Sequence, residues 1–341
     1  MTWWILGALA ALPLFGLLIQ GVGLALDRWR YPAPGELIQV GGHKQHYYVS
    51  GAPADPDLPL VVLEAGIASS SLAWRWVQRD VESFARVASY DRAGLGWSEA
   101  ATTPRTTKQV VHELFSMLDE SGDPPPVVLV GHSFGGMTAL AAACLHPDRI
   151  AGLVLVDPLH PAEWMLPDAN CKRMLDFAVT LSERGARLAQ FGVVRTVVRL
   201  MLAGSATSAR LINRASTGPG SGVAERLIGE IRKLPRSAWP MVRSHWTHPK
   251  NFRSMADHLR QLPLSCAQTA NALRKLNIPV IVLSAGNLDD DRREAHAALA
   301  RLSVWGEHRV ASRSGHWIQL DEPHLVVDAI RDILRRYHER A

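Results

Sequence analysis

The chain has 341 residues, of which 47% are hydrophobic and 20% are charged, and its formal net charge is +5 at pH 7. This composition is typical of a globular protein with a large core, and it excludes an intrinsically disordered chain. The cysteines, Cys144, Cys171 and Cys266, are widely spaced and odd in number. They therefore predict neither a metal site nor a disulfide framework.

The N-terminus carries an almost unbroken apolar run over residues 3–26, with Gln20 as its only strongly polar member. As a helix this run would be roughly 36 Å long, enough to cross a hydrocarbon core of about 30 Å. We therefore predict an N-terminal transmembrane helix, within residues 1–30, that anchors the chain to a lipid bilayer. A cleaved signal peptide is the alternative, but no basic residue precedes the run and no clear small-residue cleavage site follows it. Arg28 and Arg30 favour a cytoplasmic location for the rest of the chain and leave a periplasmic location open.

The next hundred residues alternate between strand and helix patterns. Apolar or alternating runs bounded by turn residues predict strands, and an apolar stripe at helical spacing predicts a helix. The predicted strands cover residues 37–40, 45–49, 58–63 and 86–90, and the predicted helix covers residues 106–121. Such alternation is typical of an α/β fold with a mostly parallel, doubly wound sheet.

A strand, a tight turn and a helix follow one another around Ser133. Residues 127–130 are apolar and mostly β-branched, residues 131–135 read Gly-His-Ser-Phe-Gly, and residues 137–145 favour a buried helix. The glycines leave room for a sharp turn, which holds the Ser133 oxygen at the tip of the sheet. The N–H of Phe134 and the N-terminus of the helix then lie beside that oxygen.

This strand–Gly-x-Ser-x-Gly–helix unit resembles the nucleophile elbow of the α/β-hydrolase fold. The resemblance implies that Ser133 is a nucleophile and that the N–H of Phe134 is one oxyanion donor. In the family a second donor follows a His-Gly pair at the end of an earlier strand. Here the pair is Ala65-Gly66, so the carried-over donor is the N–H of Ile67.

The family resemblance also extends to residues 91–98, which are similar to an Asp-Arg-x-Gly-x-Gly-x-Ser loop found in many members and predict a structural turn. A strand over residues 150–156 follows the elbow unit. After it only helical patterns occur for about 110 residues. We therefore predict a helical cap over residues 158–270, inserted between two parts of the hydrolase core, 31–157 and 271–341.

The predicted cap is basic, with about 16 Lys and Arg against about 5 Asp and Glu between residues 172 and 260. On an anchored protein such a surface would be attracted to anionic lipid head groups, and a solvated basic surface is the alternative. No nucleic-acid recognition motif accompanies the charge, so nucleic-acid binding is not predicted.

In this family the catalytic residues follow the chain order serine, acid, histidine. His316 lies between the last predicted strand and the last predicted helix, which is the position of the family's base. Asp157 ends the strand over 150–156, as in certain haloalkane dehalogenases, whereas Asp289 follows the next strand, at the more common location. We favour Asp157 as the acid and keep Asp289, or its neighbours Asp290 and Asp291, as alternatives.

The resemblance implies a serine hydrolase that cleaves an ester or related acyl bond of a small substrate without a metal or cofactor. The apolar N-terminal run and the long cap favour a hydrophobic substrate. Serine at the elbow argues against dehalogenase and epoxide-hydrolase chemistry, which use a carboxylate nucleophile in this fold. A cofactor-free haloperoxidase or perhydrolase, a carbon–carbon hydrolase and an aminopeptidase would use the same triad. A ligand-binding module with low turnover and a membrane-bound acyltransferase are further alternatives, and the oligomeric state is left open.

Overall fold

An eight-stranded sheet lies at the centre of the computed structural model, which describes residues 2–52, 55, 57–123, 125–202 and 232–340. The strand order is β1-β2-β4-β3-β5-β6-β7-β8. Strand β2 pairs antiparallel with β1 and β4, and the other neighbours are parallel. The strands are β1 Glu36–Val40, β2 His43–Ser50, β3 Val61–Glu64, β4 Val87–Tyr90, β5 Val127–His132, β6 Ile150–Val156, β7 Val280–Ala285 and β8 Gly306–Ala311. The predicted mostly parallel α/β sheet is confirmed.

Helices cover both faces of this sheet. Those of the described residues are α1 Thr2–Arg30, α2 Arg75–Val81, α3 Thr107–Ser121, α4 Phe134–Leu145, α5 Ala162–Met165, α6 Ala169–Gln190, α7 Val193–Leu202, α8 Trp239–Trp246, α9 Pro249–Arg260, α10 Leu262–Ala272, α11 Asp290–Ala300, α12 Ile318–Asp321 and α13 Pro323–His338. One apolar core lies between the sheet and α3, α4 and α11, and a second lies between the sheet and α2 and α13.

The central strands are buried along their whole length because helices cover the sheet on both sides. Every residue of β3, β5, β6 and β7 is buried, whereas all but the last residue of the edge strand β8 are half-buried or exposed. A strand buried on both faces has no polar face, which is why these segments are continuous apolar runs in the sequence. This arrangement fixes the carboxyl ends of β3, β5, β6 and β7 beside one another.

Helices α5 to α10 lie between β6 and β7, in the interval predicted as a helical cap. Helix α6 packs along α9, and α10 packs against α4 of the core. Residues 203–231 of the predicted cap lie outside the described residues. The domain boundaries given above stay a prediction.

The predicted membrane span, residues 3–26, falls within helix α1. The side chains of residues 1–11 lie outside the described residues. Within the part of the chain that the structure describes, no helix combines the length and the apolar character needed to cross a bilayer. The transmembrane anchor is therefore not confirmed and stays a prediction.

Candidate active site

Ser133 occupies the turn between β5 and α4 with φ 55° and ψ −121°. The neighbouring backbone is packed too closely for side chains at the two flanking glycines. A Cβ at Gly131 would lie 2.3 Å from the carbonyl oxygen of Gly135, and a Cβ at Gly135 would lie 2.4 Å from the carbonyl oxygen of Ala65. Only glycine fits at both positions, so the sharp strand-to-helix turn is encoded locally.

Two residues, Ser133 and Asp157, are the only non-glycine residues with positive φ among those that the structure describes. They follow the adjacent parallel strands β5 and β6. A side chain in this backbone region costs conformational energy, and such residues concentrate at functional sites. Backbone strain therefore occurs at the carboxyl ends of β5 and β6, where the sequence places Ser133 and the candidate acid Asp157.

Asp157 contacts the imidazole of His316. The distance between His316 Nδ1 and Asp157 Oδ2 is 2.6 Å, and the other carboxylate oxygen accepts the N–H of Ala285 at 2.9 Å. Burial by itself would raise the pKa of Asp157, but the hydrogen bond and charge of His316 and the bond from Ala285 outweigh it, so the pKa is lowered. The carboxylate is therefore ionised, and it orients the ring so that Nε2 is the nitrogen left for a reactant.

The alternative aspartates serve a different purpose in the structure. Asp289 is the N-cap of α11, and its carboxylate accepts the N–H of Arg292 at 2.8 Å. Asp290 pairs with Arg293 on the surface, and Asp291 is exposed in the first turn of the same helix. Carboxylates at a helix N-terminus stabilise the helix dipole, which accounts for this acidic run.

A buried polar chain lies behind Asp157. His296 Nε2 is 2.9 Å from the carbonyl oxygen of Pro158, which can only accept, so this nitrogen carries the proton. His296 Nδ1 then accepts from the Ser284 hydroxyl at 2.8 Å, and His308 Nε2 donates to Ser284 at 2.7 Å. His296 Nδ1 also lies 4.0 Å from Asp157 Oδ1. This chain supports the loop that carries Asp157.

His132, the residue before Ser133, supports the loop of His316. Its Nε2 donates to the main-chain oxygen of His316 at 2.8 Å, and the two ring centroids are 4.6 Å apart. Burial, together with the charge of His316, lowers the pKa of His132 to about 3, so the ring is neutral. His132 therefore fixes the loop of the candidate base through a hydrogen bond and a ring contact.

The loop that carries the candidate donor Ile67 lies against the elbow. A Cβ at Gly66 would lie 3.7 Å from Ser133 Cβ, which places this loop beside Ser133. The N–H of Phe134 belongs to the first turn of α4, where a helix offers no carbonyl partner. Both N–H groups that the family resemblance assigns to the oxyanion therefore belong to segments next to Ser133.

Arg92 holds the backbone of this loop. Its guanidinium donates to the carbonyl oxygens of Ala65, at 2.7 Å, and of Gly66, and it pairs with Glu64 at 2.5 Å. The guanidinium carbon also lies 5.2 Å from the ring centroid of Phe134. Arg92 thus contacts both segments that carry the candidate oxyanion donors.

The roles of Arg92 and Glu64 were missed in the sequence, where the Asp-Arg loop was predicted to be only structural. A signal was present in the form of Glu64, a charged residue that ends a fully apolar strand and therefore needs a buried partner. His296 and His308 carried no such signal, because their contacts depend on the packing of α11 and β8.

A cavity of about 330 Å³ opens over Ser133. Its volume is in the range of small-molecule sites. The lining combines the catalytic candidates with apolar side chains of the cap. It includes Ser133, His316, Ile67, Leu72, Val194 and Trp246. Among the described residues, no group of three or more His, Cys, Asp or Glu side chains is arranged to hold a metal ion.

A family model described as the alpha/beta hydrolase fold matches residues 59–323. The chain belongs to this family. The crystal structure of the enol-lactonase from Burkholderia xenovorans LB400 shares the fold, with a TM-score of 0.59 and 18% identity over 88% of this chain and 100% of that one. The family model extends from just before β3 to the first residue of α13.

Two curated relatives of this chain illustrate the range of the family. The putative carbamate hydrolase RutD of Caulobacter sp. (strain K31) is 34% identical over 137 residues, 40% of this chain and 48% of RutD. Lipase LipV of Mycobacterium tuberculosis (strain ATCC 25618 / H37Rv) is 36% identical over 116 residues, 34% of this chain and 41% of LipV. The chain spans less than half the length of each of these relatives.

Proposed function

We propose that this protein is a serine hydrolase that cleaves an ester or a related acyl bond through Ser133, His316 and Asp157. The observation that carries the proposal is the 2.6 Å contact between His316 Nδ1 and Asp157 Oδ2, with His316 and Ser133 lining one cavity. A serine hydroxyl needs a base oriented by a carboxylate to act as a nucleophile near neutral pH. The arrangement supports that assignment of roles.

In the first half of the reaction, Ser133 Oγ attacks the acyl carbon and His316 Nε2 takes the hydroxyl proton. The negative charge moves to the carbonyl oxygen, where the N–H groups of Phe134 and Ile67 stabilise it. The oxyanion then collapses, the bond to the leaving group breaks, and His316 returns the proton to the leaving oxygen. The products are an acyl-Ser133 ester and an alcohol.

In the second half, water takes the place of the alcohol. His316 removes a proton from this water, whose oxygen attacks the acyl carbon of the Ser133 ester. The second oxyanion uses the same two N–H groups. Its collapse breaks the bond to Ser133 Oγ, which regains the proton from His316, and the carboxylic acid leaves.

The cavity supports a small, apolar acyl substrate. It is lined largely by hydrophobic side chains, and those from the cap include Val194, Val198, Val242 and Trp246. The relatives named above, a lipase, a putative carbamate hydrolase and an enol-lactonase, act on carbonyl centres bonded to oxygen or nitrogen, as their names state. We therefore propose esters with an aliphatic acyl chain as the substrate class.

Labelling with a fluorophosphonate probe tests the nucleophile. We expect the wild-type protein to be labelled on Ser133 and the Ser133→Ala variant to remain unlabelled. Ser69→Ala is the matched control, because Ser69 also lines the cavity and no catalytic role is assigned to it. Labelling of Ser133→Ala, or a wild-type protein that stays unlabelled, would contradict the proposal and favour a ligand-binding module.

Turnover of p-nitrophenyl esters of increasing acyl length tests the reaction. We expect hydrolysis with an optimum above acetate, and a loss of about 10⁴-fold or more in kcat for Ser133→Ala. Product analysis with an added alcohol separates a hydrolase from an acyltransferase, because a transferase would yield mainly the new ester. Hydrolysis of amide substrates with no turnover of esters would contradict the proposed substrate class.

A further inference from the structure

Two polar residues of helix α1, Gln20 and Asp27, form hydrogen bonds with the cap. Gln20 is buried, its Nε2 donates to the carbonyl oxygen of Thr247 at 2.9 Å, and its Oε1 accepts from Arg195 at 3.1 Å. Two turns further along α1, Asp27 Oδ2 accepts a hydrogen bond from Arg195 Nη1 at 2.6 Å. One face of α1 is thus fixed to α7 and to the end of α8 by buried or half-buried hydrogen bonds.

Two glycines on the same face let α1 approach closely. A Cβ at Gly16 would lie 2.5 Å from the carbonyl oxygen of Phe191, and a Cβ at Gly23 would lie 2.5 Å from Arg195 Nε. Gly16, Gln20, Gly23 and Asp27 recur every three to four residues, which places them on one helix face. From Gly16 onward, α1 therefore lies along the cap at the junction of α6 and α7.

Helices α1, α6 and α7 also expose large apolar side chains. On α6 the exposed apolar residues recur at helical spacing, and on α1 they surround the docked face. The two sets meet at the junction, where Ile19 packs over Gly192. We call these exposed residues the α1–α6–α7 surface, and its members are Phe15, Ile19, Val22, Phe177, Leu181, Leu188, Phe191, Val193 and Val197.

Positive charge accompanies this apolar patch. Helices α6 and α7 carry six Lys and Arg against two Asp and Glu, and Arg184, Arg187 and Arg199 are exposed. Arg28 and Arg30 are exposed at the end of α1, beside Trp29, which is 82% exposed. An apolar face bordered by arginines and an exposed indole matches the chemistry of an anionic bilayer surface, where acyl chains lie beneath negatively charged head groups.

Helix α7 connects this surface with the cavity. Val194 and Val198 line the cavity above Ser133, whereas Val193 and Val197 of the same helix are exposed. One helix therefore separates the α1–α6–α7 surface from the candidate nucleophile. Among the described residues, α7 is the element that a molecule leaving a bilayer at this surface would have to pass to reach the cavity.

We propose that the α1–α6–α7 surface seats the protein on an anionic lipid bilayer and that the acyl substrate enters the cavity from the lipid beside α7. The face of α1 from Gly16 to Asp27 stays on the cap, and its apolar faces lie in the lipid. The seating goes beyond the proposed function and is independent of it. The route of the substrate rests on the proposed function.

Quenching by brominated lipids tests the seating. The full chain carries an environment-sensitive fluorophore at Leu181→Cys in a Cys171→Ser background, in which Cys144 and Cys266 remain buried. Val304→Cys is the matched control. Val304 is 82% exposed and precedes β8, so it lies at the amino ends of the parallel strands, whereas Ser133 lies at their carboxyl ends. Each protein is mixed with vesicles of phosphatidylcholine containing phosphatidylglycerol, with and without brominated chains.

We expect the emission at position 181 to shift to the blue and to be quenched, the quenching to weaken in pure phosphatidylcholine, and position 304 to stay unquenched. An unquenched probe at position 181 overturns the proposal. A blue shift that depends on protein concentration and needs no vesicles overturns it in favour of a second copy of the chain on this surface. Equal quenching at both positions would indicate non-specific adsorption and would also overturn the proposal.

Turnover of two ester forms tests the route of the substrate. In Phe177→Ser/Leu181→Ser/Leu188→Ser we expect at least about a tenfold loss on a long-chain ester embedded in anionic vesicles, because three apolar contacts with lipid are removed. A dissolved short-chain ester should be hydrolysed as by the wild type, and Val304→Ser should change neither rate. Equal loss on both esters overturns the route. If the wild type hydrolyses neither ester, the proposed function fails, while the fluorescence result on seating still stands.

Discussion

Arg92 donates a hydrogen bond of 2.7 Å to the main-chain oxygen of Ala65, two residues before the candidate oxyanion donor Ile67. The same guanidinium bonds Gly66 and pairs with Glu64, and all of its side chain is buried. Many family members carry a histidine where this chain has Ala65. Arg92, which follows β4, hydrogen-bonds the backbone of this loop, in which Ala65 stands in place of that histidine.

The first prediction concerns this positioning role. We expect Arg92→Met to lower kcat for a p-nitrophenyl ester by about 10- to 100-fold with little change in KM, because a displaced N–H weakens only the transition state. Arg92→Lys should recover part of the loss, since an ammonium can still bond a carbonyl oxygen. Steady-state kinetics gives the separate kcat and KM values.

Arg105→Met is the matched control for the Arg92 variants. Arg105 is equally buried and pairs with Glu113 at 2.5 Å, but its guanidinium bonds no carbonyl of the loop around Ile67. Removing either arginine leaves a buried carboxylate unpaired and should destabilise the fold by about 3–5 kcal/mol. Equal losses of kcat in both variants would show that Arg92 acts only through stability.

The second prediction separates the two candidate acids. Asp157→Asn should lower kcat by about 10⁴-fold, because the ring of His316 loses the carboxylate that fixes its tautomer. Asp289→Asn should change kcat less than about threefold, since asparagine is also a good N-cap for α11. A large loss in Asp289→Asn with an active Asp157→Asn would reverse the assignment.

The third prediction concerns the dependence of stability on pH. The pKa of His132 is about 3 in the folded protein and 6.5 for a free histidine, so between these values the unfolded chain binds a proton that the native state does not. Stability contributed by neutral His132 is thus complete above pH 6.5 and is lost as the pH falls toward 3. In this range each histidine with such a lowered pKa changes the free energy of unfolding by up to about 1.4 kcal/mol per pH unit.

We therefore expect His132→Asn to reduce the slope of unfolding free energy against pH between 6.5 and 4, by at most one proton. Urea denaturation at several pH values measures the slope. His112→Asn is the control, because His112 lies on the exposed side of α3. Buried His245 and His258 contribute in the same direction, since burial lowers their pKa as well, so the slope should decrease without vanishing.

The fourth prediction concerns chain-length preference. Val198→Trp should fill part of the cavity of about 330 Å³, so kcat/KM for long acyl chains should fall by about tenfold or more while that for acetate is retained. Val197→Trp places the same ring one residue away on the exposed face of α7 and should leave the preference for dissolved esters unchanged. Equal responses of the two variants would exclude α7 as a wall of the acyl site.

The sequence by itself determined the elements whose causes are local. The turn at Ser133 depends on Gly131 and Gly135, which lie within two residues of it, and the central strands are visible as continuous apolar runs because both of their faces are buried. The family resemblance assigned the base to His316, which lies in the loop between β8 and α12. It left two positions open for the acid, because both Asp157 and Asp289 follow strands that end at the same sheet edge.

Only the tertiary structure showed which aspartate lies against His316, how Arg92 reaches Ala65 and how α1 packs. Asp157 and His316 are 159 positions apart, and Gln20 and Thr247 are 227 positions apart. Such contacts depend on strand order, on loop closure and on which helix faces meet, and none of these leaves a pattern in neighbouring residues. The apolar run of residues 3–26 predicted a membrane anchor, and only the folded chain shows that the hydrogen bonds of Gln20 and Asp27 fix one face of α1 to the cap.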